Sequence, residues 1–266
     1  MNKSLKSLLL LVTLMVFVTN VNAQEIIDNI VKNGELRVGM TGTQPPYTIE
    51  SSDGELIGYE VDLANLLAEE IGVELKIVRM PFKELLPSLQ AKKVDIIMSG
   101  MTMTPQRNTQ VIFLGPYIYS GKSILTMAHI FIQVENTNEL DKGSIKITTM
   151  AGSTSEKFVL TNMPKAKLLA ESNYDDCYKL LMDGKADILL ADFSLCRYTI
   201  LRNPDAGLET FDEPITKEPI GMAIKHTDPL FLNLLNNFLT QLDADGTLED
   251  LNDKWFWDDE WISEVK

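Results

Sequence analysis

The chain is poor in the residues on which metal centres and nucleophilic enzymes are built. Its 266 residues include two cysteines and two histidines. His129 and His226 stand alone, without metal-ligand spacing, and read as surface or loop side chains. Cys177 and Cys196 carry no catalytic signature. A helix-to-helix disulfide and two buried thiols fit them equally well, because spacing does not fix geometry. No Gly-rich loop with its lysine is present to cradle phosphate, and no Gly-x-Ser-x-Gly elbow occurs. We therefore expect no metal, no cofactor and no catalytic residue. Basic residues are also scarce, with 24 Lys and Arg against 38 Asp and Glu and a net charge of −14. Such a surface repels nucleic acid and anionic lipid heads, so any bound anion needs a recessed local cation.

Long apolar runs are missing too. Leu8 to Val18 falls well short of the ~20 residues that span a bilayer. Preceded by Lys3 and Lys6 and followed by Val21, Asn22 and Ala23, it reads as a secretory leader over residues 1–23. The mature chain then begins at Gln24, keeps 243 residues and carries −16, since only the two lysines among the charges leave. No cysteine follows the run to accept a lipid. A free monomer in a Gram-negative periplasm is expected, with no membrane insertion once the leader is removed.

What is present is an alternation of strand and helix. Glu35 to Met40 and Glu74 to Arg79 read as strands around a helix over Glu60 to Ile71. A helix over Phe82 to Ala91 and a strand over Val94 to Met98 follow. After Ser120, Gly121 and Lys122 the plan recurs. Strands at Ile145 to Met150 and Ala186 to Ala191 flank helices at Ser155 to Leu160 and Tyr174 to Met182. Ile220 to Ile224, a helix over Pro229 to Leu242 and a terminal helix through Trp255 complete an α/β chain with mostly parallel sheets. The acidic runs Asp175-Asp176 and Asp258-Asp259-Glu260 read as solvated faces. Trp255, Trp257 and Trp261 read as pins for the last helix.

The most informative stretch is Val94 to Arg107, VDIIMSGMTMTPQR. An apolar strand ending at Met98 would deliver Ser99, Gly100 and Thr102 to the sheet's carboxyl edge, where free amides and a helix start favour an anion. Arg107 adds a planar, permanently charged fork that matches a carboxylate. On this stretch alone, a strand, a turn and a capped helix with a solvated arginine fit as well.

The remaining motifs break that tie. In order they are Pro45-Pro46-Tyr47, Gly58-Tyr59-Glu60-Val61-Asp62-Leu63, Met80-Pro81-Phe82, Ser99-Gly100-Met101-Thr102 with Arg107, and Phe113-Leu114-Gly115-Pro116-Tyr117. Ala151-Gly152-Ser153-Thr154, Ala191-Asp192 and Lys254-Trp255-Phe256 follow. Each is weak alone, but their order over nearly the whole mature chain resembles the polar amino-acid class of periplasmic solute-binding proteins. These are the soluble receptors of ABC importers, known as family 3 of the bacterial extracellular solute-binding proteins.

The resemblance implies the type II periplasmic-binding fold, with two Rossmann-like α/β lobes of mixed, mostly parallel sheets joined by a two-segment hinge. Residues 24–120 with 218–266 would form the first lobe and 121–217 the second, with crossovers near Tyr119 to Ser123 and Pro214 to Pro219. An amino acid would bind between the lobes, close the hinge and be delivered to an inner-membrane ABC permease.

By the same resemblance, Arg107 grips the ligand α-carboxylate with Gly100 backbone and Thr102, and Thr154 reaches it from the second lobe. Asp192 accepts from the α-ammonium. Ser99 and Ser153 are expected among the ligand-binding residues too, and Phe82 walls the ligand side chain. Bland roles stand beside these. Phe82 can be core, Ser153 or Thr154 a helix cap, and Asp192 a cap for the helix after its strand. Tyr47 is expected beneath the cleft. Many relatives carry an acid where Thr41 stands and an aromatic where Gln44 stands, which argues against a basic ligand and leaves Gln44 to meet a polar one. Two rivals share the fold: a cyclohexadienyl dehydratase, for which the sequence offers no convincing acid, and a sensor module, which usually continues into a membrane helix.

Overall fold

A computed structural model describes residues 25–131, 137–226 and 228–265. The expected leader and the Gln24 start lie outside the described residues. After helix α1 (Glu25–Asn33), strand β1 (Glu35–Met40) leads to a small hairpin sheet of β2 (Thr43–Gln44), β3 (Thr48–Glu50) and β4 (Leu56–Ile57). Helix α2 (Tyr59–Ile71), β5 (Glu74–Arg79), α3 (Phe82–Gln90), β6 (Ile96–Ile97) and the four-residue α4 (Pro105–Asn108) follow, then the long β7 (Ile112–Ser120). Lys122 opens β8 (Lys122–Met127), followed by α5 (Ala128–Phe131), β9 (Lys146–Met150), α6 (Thr154–Asn162), β10 (Lys167–Glu171) and α7 (Tyr174–Met182). The chain ends through β11 (Ile188–Asp192), α8 (Phe193–Arg202), β12 (Leu208–Glu209), β13 (Glu218–Ile224), α9 (Pro229–Ala244) and α10 (Thr247–Asn252).

Two five-stranded sheets result, ordered β5-β1-β6-β13-β7 and β10-β9-β11-β8-β12. In each, three parallel strands are followed by one antiparallel strand, β13 or β8, and the edge strand pairs antiparallel with it. The first sheet takes strands from both ends of the chain, and we refer to the bodies built on the two sheets as the first and second lobes. The chain leaves the first sheet at Gly121 and returns through residues 210–217. These crossovers touch: a side-chain carbon on Gly121 would lie 1.9 Å from the Thr216 carbonyl oxygen.

Strand β11 is buried along its whole length, as expected of a strand covered on both faces. The first-lobe core gathers α1, α2 and α9 against β1, β6 and β13, and Trp255 and Trp261 lock the C-terminal segment onto it. Trp261 stacks on Tyr198 at 5.4 Å, and the Trp255 indole donates to Asp62 at 2.8 Å. Trp257 departs from expectation, since it is 69% exposed and pins nothing. The terminal helix runs through Trp255 as its pattern suggested, its last turn, from Asp253 to Trp257, widening to a π-helical one. Both cysteines are free and buried.

The turn that positions the site depends on one close approach. Gly58 precedes α2 at φ 139°, and a side-chain carbon there would meet the Tyr47 carbonyl at 2.2 Å. Only glycine allows the Tyr59 and Glu60 amides to bond to the Pro46 and Tyr47 carbonyls.

Candidate functional site

The carboxyl ends of the parallel strands of both sheets face each other. Ser99 to Arg107 lies beyond β6, Gly152 to Thr154 beyond β9, and Asp192 ends β11. Contact between the two sets is direct. The Thr102 and Thr154 hydroxyls lie 3.3 Å apart, and the Arg107 guanidinium donates to the Gly152 carbonyl at 3.1 Å.

Arg107 is set by local structure. Thr104 caps α4 by accepting the Arg107 amide, and the guanidinium then folds back onto the Thr102 carbonyl at 2.8 Å. Its face covers the Phe82 ring at 5.4 Å from the centroid. Phe82 is therefore both core and the floor of a cation–π contact. Burial pulls the Arg107 pKa below its ordinary value, against the pull of Glu218 and Asp192.

Asp192 is 7% exposed. It occupies the N-cap position of α8, yet its side chain makes no capping bond, so the cap reading does not account for it. Burial raises its pKa to about 6; Lys122 and Arg107 lower it and Glu218 raises it further. In the antiparallel β8–β11 register Asp192 sits opposite Lys122.

Lys122 and Glu218 occupy the centre, and the sequence reading missed both. The Lys122 ammonium, its side chain 2% exposed, pairs with Glu218 at 2.6 Å and donates to the Thr154 hydroxyl at 2.7 Å. Glu218 also accepts from Thr102 and Thr154, both at 2.9 Å, and from Thr216 at 3.1 Å. Burial pushes the Glu218 pKa upward, but Lys122 and the hydrogen bonds from Lys122, Thr102 and Thr154 outweigh it and hold it below the ordinary value. The available signal was Lys122 itself, a lone charge at the head of an apolar strand, which requires a buried counter-ion.

The remaining candidates divide. Ser99 and Gln44 lie inside the first lobe, where both Ser99 and Thr41 donate to the Gln44 side-chain oxygen at 2.9 Å. Gly100, expected to present a free amide, donates it to Glu60 at 2.7 Å. Ser153 proves to be the cap of α6, accepting from Glu156 and donating to Met150. Tyr47 is fully buried beneath the turn. Cavities of about 860 and 610 Å³ lie elsewhere, the larger lined by Tyr119, Tyr198 and Trp257; Arg107, Asp192, Thr102 and Thr154 line neither.

The model of the bacterial extracellular solute-binding proteins, family 3, matches residues 36–258. The chain belongs to this family. This family 3 protein is 27% identical over 227 residues to the ABC transporter arginine-binding protein 1 of Escherichia coli, covering 84% of the chain and 90% of that relative. It is 30% identical over 174 residues to the cyclohexadienyl dehydratase of Pseudomonas aeruginosa, covering 65% of each. Among solved structures, it matches the putative binding component of an ABC transporter from Wolinella succinogenes complexed with lysine. The TM-score is 0.82 and the identity 36%, covering 86% of this chain and 99% of that one. The fold of this solute-binding protein is the two-lobed α/β arrangement of periplasmic type II.

Proposed function

We propose that the protein is a periplasmic receptor that binds an amino acid between its lobes and delivers it to an inner-membrane ABC importer. The observation that carries this reading is the pair formed by a half-buried guanidinium from the first lobe, Arg107, and a buried carboxyl from the second, Asp192. Each takes one end of a zwitterion, Arg107 the α-carboxylate and Asp192 the α-ammonium. Full pairing then exists only when the lobes are together, so ligand binding favours closure. Hydrogen bonds to charged groups contribute roughly 1.5–3 kcal/mol each, and micromolar affinity needs about 8. Thr102 and Thr154 complete the carboxylate site.

A neutral or acidic polar ligand fits best. No acid stands at Thr41, whose hydroxyl is committed to Gln44. Glu218 is matched by Lys122, and Glu60 by Gly100 and Tyr117. A cationic side chain would have to share Asp192 with the α-ammonium. A thermal-shift screen of the twenty amino acids, followed by calorimetry on the best, tests the reading; the expected result is stabilisation by one or a few polar amino acids and none by their decarboxylated amines.

A dehydratase is the second reading, favoured by the Pseudomonas relative and by Asp192, whose raised pKa lets it hold a proton below about pH 6. General acid catalysis needs such a group. Incubation with prephenate or arogenate, with product absorbance followed, decides between the two; turnover would overturn the receptor assignment.

A further inference from the structure

We infer that Glu218 is an internal strut that closes the two lobes through protein contacts alone and competes with a ligand carboxylate for the Thr102 and Thr154 hydroxyls. The competitive half rests on the proposed carboxylate site, and the strut does not.

Glu218 opens β13, where the chain re-enters the first sheet, and its carboxylate reaches donors on both sides of the interface. Oε2 receives Thr102 from the first lobe and Thr154 from the second, each at 2.9 Å. Oε1 receives Lys122 at 2.6 Å and Thr216 at 3.1 Å, the latter from the returning crossover. The direction of the Thr154 bond follows from proton inventory. An ammonium has three donors and no acceptor, so the Thr154 oxygen accepts from Lys122, and its single hydrogen goes to Glu218. Thr102 likewise has one hydrogen and spends it on the same oxygen.

These four donors form an anion cradle, and the anion in it belongs to the protein. A ligand carboxylate that takes the two hydroxyls must move Glu218 aside. One that leaves Glu218 in place is held by Arg107 and backbone amides only. Removing Glu218 deletes the acceptor shared by Thr102 and Thr154 and leaves Lys122 without its paired carboxylate, so that of the contacts between the two turns only the Thr102–Thr154 approach and the Arg107 bond to Gly152 remain.

The test is small-angle scattering on protein unfolded in guanidinium and refolded to strip bound cargo. Wild type, Glu218→Ala and Thr154→Val are compared; the last keeps the side-chain volume and lacks the bridging hydroxyl, and serves if Glu218→Ala does not fold. Without added amino acid, wild type should fit the closed structure and both variants should show a larger radius of gyration; that of Glu218→Ala should return to the wild-type value when a mixture of the twenty amino acids is added. If wild type is already open, or a folded variant scatters as wild type does, the strut is refuted. Variants that open while no amino acid changes any curve would leave the strut standing and remove the receptor reading. Amino-acid binding by variants that never open would do the reverse.

Discussion

Glu60 and Gly100 are joined by a 2.7 Å hydrogen bond between side chain and amide, which ties the first turn of α2 to the turn after β6. The other oxygen of Glu60 accepts the Tyr117 hydroxyl. The carboxyl is fully buried, and the turn that presents Arg107 is thereby fixed from beneath.

Burial raises the Glu60 pKa from 4.5 to about 7, against the hydrogen bonds from Tyr117 and Gly100. The native state therefore binds a proton that the unfolded chain releases, and stability from this group falls as pH rises from about 4.5 to 7. Asp192 acts in the same direction between 3.8 and about 6. Urea unfolding at pH 5 and pH 8 should give the higher midpoint at pH 5. Glu60→Gln should reduce the difference and leave the Asp192 part.

The same Asp192 shift makes binding pH-dependent in the opposite direction. Only the carboxylate form can accept from an ammonium, so affinity should rise about tenfold per pH unit up to about pH 6 and then level off. Asp192→Asn should flatten the profile in calorimetry and weaken amino acids more than analogues lacking the amino group. An unchanged profile would remove Asp192 from the site.

Arg107→Ala should reduce affinity more than ~100-fold, since two hydrogen bonds to a charged group contribute roughly 3–6 kcal/mol together. Arg107→Lys should recover little, because an ammonium lacks the planar fork. The far-ultraviolet circular dichroism should stay as in wild type, as α4 is held by its Thr104 cap and β6 by its own core. Unchanged calorimetry in Arg107→Ala would overturn the site.

Stability away from the site should be most sensitive at Asp228. Its buried carboxylate accepts the amides of Ile26 and Ile27 at 3.0 and 2.9 Å and caps α9 through Phe231 at 3.0 Å. Asp228→Ala should cost about 3 kcal/mol, and calorimetric melting should fall by roughly 10 °C. Asp228→Asn should retain part of this.

Much of the scaffold was legible along the chain. Glu35–Met40 and Glu74–Arg79 have the strand ends their patterns indicate, and Tyr174–Met182 the helix ends, because local apolar period and a cap such as Asn173 mark such elements. Strand β6 is shorter than its apolar run, since only Ile96 and Ile97 meet β1 in register. β7, β8 and β10 gave little local signal. β7 carries Gly115 and Pro116, which interrupt the strand pattern, and it exists because β13 pairs along it.

In the site, Arg107, Thr102, Thr154 and Asp192 could be named from motif order, while Lys122 and Glu218 could not. Their pairing spans 96 positions and depends on two crossovers touching at Gly121 and Thr216. The sequence by itself determined the alternation of elements, the charge balance and the motif series, because each is a property of neighbours along the chain. Tertiary structure alone decided which carboxylate the buried Lys122 meets and which hydroxyls that carboxylate draws in. Those outcomes depend on distance and desolvation, and folding sets both between residues that are remote in the chain.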